Sequence, residues 1–155
     1  MANGLSVFNS LVKALDNKQW TYDKDEENLV ISSGIKGDDF PVEFLMVVDD
    51  EREIVSFLSR LPFNFPEDKI IDGAIAICAI NNRLINGTFD YNIENGKITF
   101  RMVSSYKGGI SFNDEIVDYM ILVSASTVDK YNDKLFMISK NMLSLQQFLQ
   151  DLNKD

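Results

Sequence analysis

Residues 64–104 read NFPEDKIIDGAIAICAINNRLINGTFDYNIENGKITFRMVS, and this stretch decides the fold. Pro66 suits the first turn of a helix because its missing N–H would be unpaired there anyway, and Asn64 can cap that turn. The spacing predicts a helix from about residue 67 to residue 84. Asn86-Gly87 should end it, since glycine accepts the left-handed conformation that commonly follows a helix.

The predicted helix is apolar over a wide arc that should be buried. This arc comprises Ile70, Ile71, Ala74, Ile75, Ile77, Cys78, Leu84 and Ile85. Opposite the arc lies a stripe of small residues, Gly73, Ala76 and Ala79. Glycine within a helix costs about 1 kcal/mol relative to alanine, so the stripe indicates close packing against another helix, either of the same chain or of a second copy in a homodimer. A solvated face that tolerates a glycine is the alternative.

A β-hairpin follows the helix. Its apolar residues alternate with polar ones along both strands. These apolar residues are Phe89, Tyr91 and Ile93, and then Ile98, Phe100 and Met102. Asn95-Gly96 favours a hairpin turn whose twist matches that of the strands. One face of the hairpin should therefore be core, and the other should face water.

The remaining chain adds helices at both ends and strands between them. Asn3 or Ser6 can cap a first helix, Ser111 can cap a long helix that reaches about Lys140, and Ser144 can cap a last short helix. Strands are expected near residues 29–32, 40–48 and 53–61. The order α-β-β-β-α-β-β-α-α predicts an α+β fold with a single antiparallel sheet of about five strands and helices packed on one face.

Composition limits what the chain can be. Its 155 residues correspond to one domain, residues 1–155, that needs no disulfide. Cys78, the only cysteine, is expected to be a buried, inert thiol or to indicate a reducing compartment. No apolar run approaches the roughly 20 residues that cross a bilayer, so a cytoplasmic protein without a membrane partner is expected. A net charge of −9 disfavours nucleic acid as a partner.

The strand at 40–48 is apolar on both faces. Val42, Phe44 and Met46 point one way, while Leu45 and Val47 share the other face with Glu43. An unpaired glutamate is rarely buried, so Leu45 and Val47 are the candidate partner-binding residues on an exposed patch.

The sequence shows no catalytic constellation. It contains no histidine, which removes the usual general base and, together with the single cysteine, structural zinc. The acidic segment 23–28 superficially resembles a calcium loop, but Asn28 stands where the sharp turn needs glycine and Gly34 where the bidentate glutamate should fall. We therefore predict no catalytic residue, no metal ligand and no cofactor.

Several segments resemble the YbjN family. They are Asn81-Asn82 at the end of the central helix, the strand start Gly87-Thr88-Phe89-Asp90, the return strand Gly96-Lys97-Ile98-Thr99-Phe100-Arg101, and Val128-Asp129-Lys130-Tyr131 in the long helix. That family is described as bacterial sensory-transduction regulators, and its fold is similar to that of type III secretion chaperones. The resemblance covers nearly the whole chain and implies this fold, but it carries no catalytic residue.

Three functional hypotheses follow. The first is a non-enzymatic module that binds another protein in a chaperone-like or regulatory role. The second is an enzyme that uses carboxylates with Mg²⁺. The third is a small-molecule sensor with an apolar pocket between the sheet and the helices.

Overall fold

The computed structural model describes residues 3–109 and 112–154. The helices are α1 (Gly4–Asn17), α2 (Ile70–Asn81), α3 (Asp114–Ser139) and α4 (Leu145–Leu152), with a 3₁₀ turn at Glu67–Lys69 before α2. The strands are β1 (Asp23–Asp25), β2 (Val30–Ile35), β3 (Val42–Asp49), β4 (Ile54–Asn64), β5 (Thr88–Tyr91) and β6 (Lys97–Ser105). They form one antiparallel sheet in the order β1-β2-β3-β4-β6-β5. The predicted α+β class is confirmed, with six strands where about five were expected.

The additional strand is β1, which lies within the acidic segment. Asp23 pairs with Ser32 and Asp25 pairs with Val30 in the antiparallel register. A tight turn follows, because the Asp25 carboxylate accepts hydrogen bonds from the backbone N–H of Asn28 at 3.0 Å and from its side-chain amide at 2.8 Å. Both hydrogen bonds lower the pKa of Asp25, and the one from the Asn28 side chain has the larger effect.

The hydrophobic core lies between the helices and one face of the sheet. Along β3, β4 and β6 every second side chain is buried on this face. The buried set comprises Val42, Phe44, Met46, Val48, Val55, Phe57, Leu61, Ile98, Phe100 and Met102. Beyond α1, the ring of Trp20 meets Phe44 edge-on with centroids 6.4 Å apart. This contact joins the end of the first helix to the sheet.

Three helices begin at side-chain caps. Asn3 accepts a hydrogen bond from the N–H of Ser6 at 2.8 Å, and Ser144 accepts one from Gln147 at 3.1 Å, which confirms both sites as caps. For α3 the cap is Asn113, which accepts from the N–H of Ile116 at 2.9 Å. The predicted cap Ser111 lies outside the described residues.

The central helix differs from its prediction in extent. It ends at Asn81, before the expected residue 84. The expected role of Gly87 as a helix stop is wrong. Gly87 lies at the entry to β5 with a φ of 77°, and an added Cβ there would overlap the ring of Phe100.

The face that α2 buries also differs from the prediction. Gly73 and Ala76 are buried, whereas Ile71 is 69% exposed, Ile75 is 43% exposed and Cys78 is exposed. The reason is close packing within the chain, since a Cβ on Gly73 would lie 2.5 Å from the hydroxyl of Tyr91 and 2.7 Å from the ring of Phe65. The small residues let α2 approach these aromatic side chains, and the isoleucines are left outside. Ile85 and Ile93, both expected to be buried, are exposed as well.

The last residue of α2 shields one edge of the sheet. The side-chain amide of Asn81 donates to the carbonyl of Phe89 at 3.0 Å, and the N–H of Phe89 donates to the Asn81 side-chain oxygen at 2.8 Å. Asn81 thereby occupies two backbone groups of the edge strand β5 that another strand would otherwise use.

Asp50 joins three parts of the fold. Its carboxylate lies in the turn after β3 and accepts hydrogen bonds from the N–H of Gly4 at the start of α1 and, at 2.9 Å, from the hydroxyl of Tyr106 after β6. An anion is favourable at a helix N-terminus. Tyr106 is fully buried, and burial followed by the hydrogen bond to Asp50 raises its pKa to about 12.

Candidate functional site

The candidate site lies on the open face of the sheet, which none of the four described α-helices covers. In the antiparallel register, Val30, Val47, Ser56 and Val103 are aligned across four strands. In the adjacent row, Leu45 lies between Ser32 and Leu58. We call Val30, Leu45, Val47, Leu58 and Val103 the apolar stripe. It crosses β2, β3, β4 and β6.

The apolar stripe contains both candidate partner-binding residues. Leu45 is 41% exposed and Val47 is half-buried, and Glu43 is exposed on the same face. Val103, also 41% exposed, was missed because the alternation was followed only to Met102. Following it one residue further would have found Val103, since β6 extends to Ser105. The role of Leu45 and Val47 in binding stays a prediction.

A shallow depression of about 570 Å³ adjoins the apolar stripe. Gly34, Leu45 and Leu58 contribute apolar and small surface, and Glu43 and Arg60 add charged groups. Nearby, Arg101 makes two hydrogen bonds to Asp90, at 2.7 Å and 3.0 Å, which raise the pKa of the guanidinium. The stripe is therefore bordered by charge along one side.

The small-residue stripe of α2 lies in the helical layer and not on the open face. Gly73 and Ala76 are buried within the chain, and Ala79 is half-buried. The structure brings Gly73 together with Phe65 and Tyr91, whose hydroxyl donates to the carbonyl of Ile70 at 2.8 Å. Gly73 and Ala76 therefore serve close packing within one chain.

A second apolar surface lies on the outer side of α2. Ile71, Ile75 and Cys78 are exposed at helical spacing along one line of the helix, and we call them the α2 outer face. Sequence analysis placed this face in the core, because the helix is apolar on nearly every side.

The described residues contain neither a candidate metal-binding cluster nor a candidate membrane-spanning helix. Within residues 3–109 and 112–154, no group of three or more His, Cys, Asp or Glu side chains is placed to hold a metal ion. No helix in the described part of the chain is long and apolar enough to cross a membrane.

Comparison with known proteins places the fold. No family model matches the chain, and no curated protein matches it. Among solved structures, the chain is similar to YbjN from E. coli, described as a candidate transcription regulator, with a TM-score of 0.62 and 13% identity over 88% of this chain and 94% of that one. It is also similar to a chain of the HopA1–SchA chaperone–effector complex, with a TM-score of 0.53 and 9% identity over 86% and 99%. The chain thus has a YbjN-like, chaperone-like fold, as the sequence resemblance implied.

Proposed function

We propose that this chain is a non-enzymatic, cytoplasmic protein-binding module with a chaperone-like or regulatory role. The observation that carries the proposal is the apolar stripe, which lies uncovered on a sheet whose other face carries the hydrophobic core. Burying an exposed Leu or Val side chain contributes about 1.5–3 kcal/mol, so a partner that covers several members of the stripe gains useful affinity. The fold shared with a chain of a chaperone–effector complex supports the same role.

The stripe favours a helical partner segment. Every strand beneath it already pairs with neighbouring strands, so the open face offers no backbone groups to an incoming chain. The edges are poor alternatives, since β1 and the part of β2 that extends beyond it each present only three residues, and Asn81 occupies backbone groups of β5. A segment that lies on an apolar face must satisfy its own backbone hydrogen bonds, and an α-helix does so.

The dimensions of the stripe set the length of the segment. Neighbouring strands are about 4.8 Å apart, so a stripe across four strands extends about 14 Å. A helix rises about 1.5 Å per residue, and about ten residues cover this distance. The partner segment should therefore be an amphipathic helix of about three turns with aliphatic side chains on one face.

Two aspartates on the stripe should abolish partner binding without unfolding the protein. Leu45→Asp combined with Val103→Asp places charges at the two most exposed apolar positions of the stripe, where a docked helix would have to desolvate them. We expect unchanged circular dichroism and a nearly unchanged melting temperature. Proteins that co-purify with the wild-type chain from its native host should be lost, and their binding segments should map to amphipathic helices.

A matched control introduces two aspartates at exposed apolar positions outside the apolar stripe. Leu5→Asp combined with Met142→Asp also adds two charges at exposed apolar positions, but on the helical side of the molecule, and it should retain the partners. Unfolding of the Leu45→Asp, Val103→Asp variant would mean that the stripe is core. Equal recovery of partners by both variants would rule out the stripe as the binding surface.

Self-association is the second part of the proposal, and it uses the α2 outer face. Lys69 pairs with Asp72 at 3.1 Å, so this face carries little net charge on a chain of net charge −9. In an antiparallel, two-fold pairing centred on Ile75, Ile71 of one copy approaches Cys78 of the other, because the two residues lie on opposite sides of Ile75 at nearly the same distance in sequence. The surface is thus complementary to itself, as a symmetric dimer requires.

Ile75→Asp should convert the dimer into a monomer. Two aspartates would face each other across the two-fold axis in place of two apolar side chains. Light scattering should give twice the chain mass of 17.6 kDa for the wild type and the chain mass itself for the variant, with Ile93→Asp as the control. A wild-type protein that stays monomeric at all concentrations would contradict the proposed dimer.

A further inference from the structure

A groove on the helical side of the molecule is separate from the apolar stripe and from the α2 outer face. It has a volume of about 460 Å³ and lies between the segment 83–86, which follows α2, and one side of α3. The side-chain amide of Asn86 donates to the hydroxyl oxygen of Tyr119 and ties this segment to α3. The volume falls within the roughly 300–1,000 Å³ of small-molecule sites.

The charge of this groove is opposite to that of the protein. The chain carries 24 acidic and 15 basic residues, yet the residues that line the groove include Arg83 and Lys130 and no aspartate or glutamate. Within residues 3–109 and 112–154, neither cation forms an ion pair. Lys130 lies 5.3 Å from the ring centroid of Tyr131, which places its ammonium group beside an aromatic wall.

Three acids of α3 are engaged elsewhere. Asp118 pairs with Lys18 at 2.9 Å, and Asp114 accepts a hydrogen bond from the Asn17 side chain at 2.8 Å. Asp129 accepts one from the N–H of Asp38 at 2.9 Å. These contacts hold the three carboxylates against α1 and the loop after β2. The other two acids of α3, Glu115 and Asp133, form no ion pair with Arg83 or Lys130 within the described residues.

The walls of the groove between its polar groups are apolar. Leu84, Ile85 and Val123 line it together with the ring of Tyr131. Because Tyr119 accepts from Asn86, its hydroxyl hydrogen is free to donate to a ligand. A cationic site with apolar walls selects a molecule that has a negative head and an apolar body.

The geometry points to a binding site for a small organic anion in this groove. Arg83 and Lys130 bind its carboxylate or phosphate head, the hydroxyl of Tyr119 donates a hydrogen bond, and the apolar body lies along Ile85 and Val123. The protein-binding role of the open face neither requires this site nor depends on it. The sensor hypothesis thereby gains a specific location, between a loop and α3 and not between the sheet and the helices.

Three probes separate the head from the body of the ligand. Octanoate carries both a carboxylate and an apolar chain, 1-octanol carries only the chain, and inorganic phosphate carries only the charge. In amide NMR spectra of the full chain, octanoate should shift the signals of Asn86, Tyr119 and Lys130 saturably. The other two probes should bind about tenfold more weakly or not at all, since each lacks one half of the recognition.

Two sets of variants test the residues. Arg83→Gln with Lys130→Gln should weaken octanoate binding about tenfold or more through the loss of charge-assisted hydrogen bonds, and Ser126→Trp should block the groove from an exposed position. Lys97→Gln with Lys107→Gln removes the same net charge from exposed positions at the two ends of β6 that do not line the groove. It should leave the affinity within about twofold, because surface charges outside the groove are largely screened by salt.

Several results would overturn the proposal. Equal losses of octanoate affinity in the two double variants would mean that the overall charge of the protein, and not the two cations of the groove, causes the effect. Phosphate binding as tightly as octanoate, or no effect of Ser126→Trp, would leave no role for the apolar walls. Octanoate-induced shifts at Leu45 and Val103 instead of Tyr119 would place the ligand on the open face.

Discussion

Gly96→Ala should destabilise the fold by roughly 3 kcal/mol or more. Gly96 has a φ of 68°, a left-handed conformation that costs other residues about 1–2 kcal/mol. An added Cβ would also lie 2.8 Å from the backbone nitrogen of Phe65 and 2.9 Å from its carbonyl carbon. Backbone at the end of β4 cannot move aside cheaply, and overpacking typically costs a further 1–3 kcal/mol or so. The hydrogen bond from the N–H of Phe65 to the Gly96 carbonyl, 3.0 Å long, would be distorted as well.

Gly108→Ala separates the two causes. Gly108 has a similar φ of 79°, but nothing lies within 4 Å of the position that a Cβ would take. Only the conformational cost of about 1–2 kcal/mol applies there. Urea unfolding followed by circular dichroism should therefore show a clearly larger loss for Gly96→Ala. Equal losses would mean that the contact between the hairpin turn and β4 contributes nothing.

Tyr106→Phe should make the protein less sensitive to alkaline pH. The pKa of Tyr106 rises from the ordinary 10.0 to about 12 in the folded state, because burial disfavours the phenolate and the Asp50 carboxylate accepts a hydrogen bond from the hydroxyl. A raised folded-state pKa contributes stability that is fully present below about pH 10 and is lost as the pH rises to about 12. Since each pKa unit corresponds to about 1.4 kcal/mol, the wild type should lose up to about 3 kcal/mol over this range through Tyr106 alone.

Comparison of the two proteins isolates this contribution from other titrating groups. Below about pH 10 the variant should be less stable by about 1 kcal/mol, the usual net contribution of one hydrogen bond. Above that pH the difference should shrink and then reverse, because phenylalanine has no proton to lose. Urea unfolding at a series of pH values measures both the difference in stability at lower pH and its reversal at higher pH. Parallel stability curves up to pH 12 would show that Tyr106 titrates normally.

Local signals made much of the fold predictable. The caps at Asn3 and Ser144 depend on hydrogen bonds within three residues, and the Asn95-Gly96 turn depends on glycine at a positive φ. The alternation along β3 and β6 follows directly from which side chains face the core. Each of these features is decided by a few neighbouring residues, so the sequence contains it.

Tertiary packing decided the features that were missed. Strand β1 consists of Asp23, Lys24 and Asp25, and such polar residues form a strand only because β2 lies beside them. The buried face of α2 could not be read from hydrophobicity, because apolar residues surround the helix. The aromatic rings of Phe65 and Tyr91 select the side with Gly73, and these contacts come from distant segments.

The candidate site was partly predictable for the same reasons. Glu43 identified the exposed side of β3 and with it Leu45 and Val47. Val103 joins them only through the pairing of β4 with β6, which brings together strands separated in sequence by α2 and β5. The groove between residues 83–86 and α3 is formed by segments far apart in sequence, and its cations gave no local signal.

The contact between Trp20 and Phe44 supplies the protein with an optical reporter. Trp20 is the only tryptophan in the chain, and its ring lies where the first helix meets the covered side of the sheet. Its fluorescence spectrum therefore reports on whether water enters the seam between the helical layer and the strands. A ligand that docks on the opposite side of the sheet should leave that emission unchanged. Loss of packing, which shifts the emission maximum, can therefore be distinguished from occupancy of the open face.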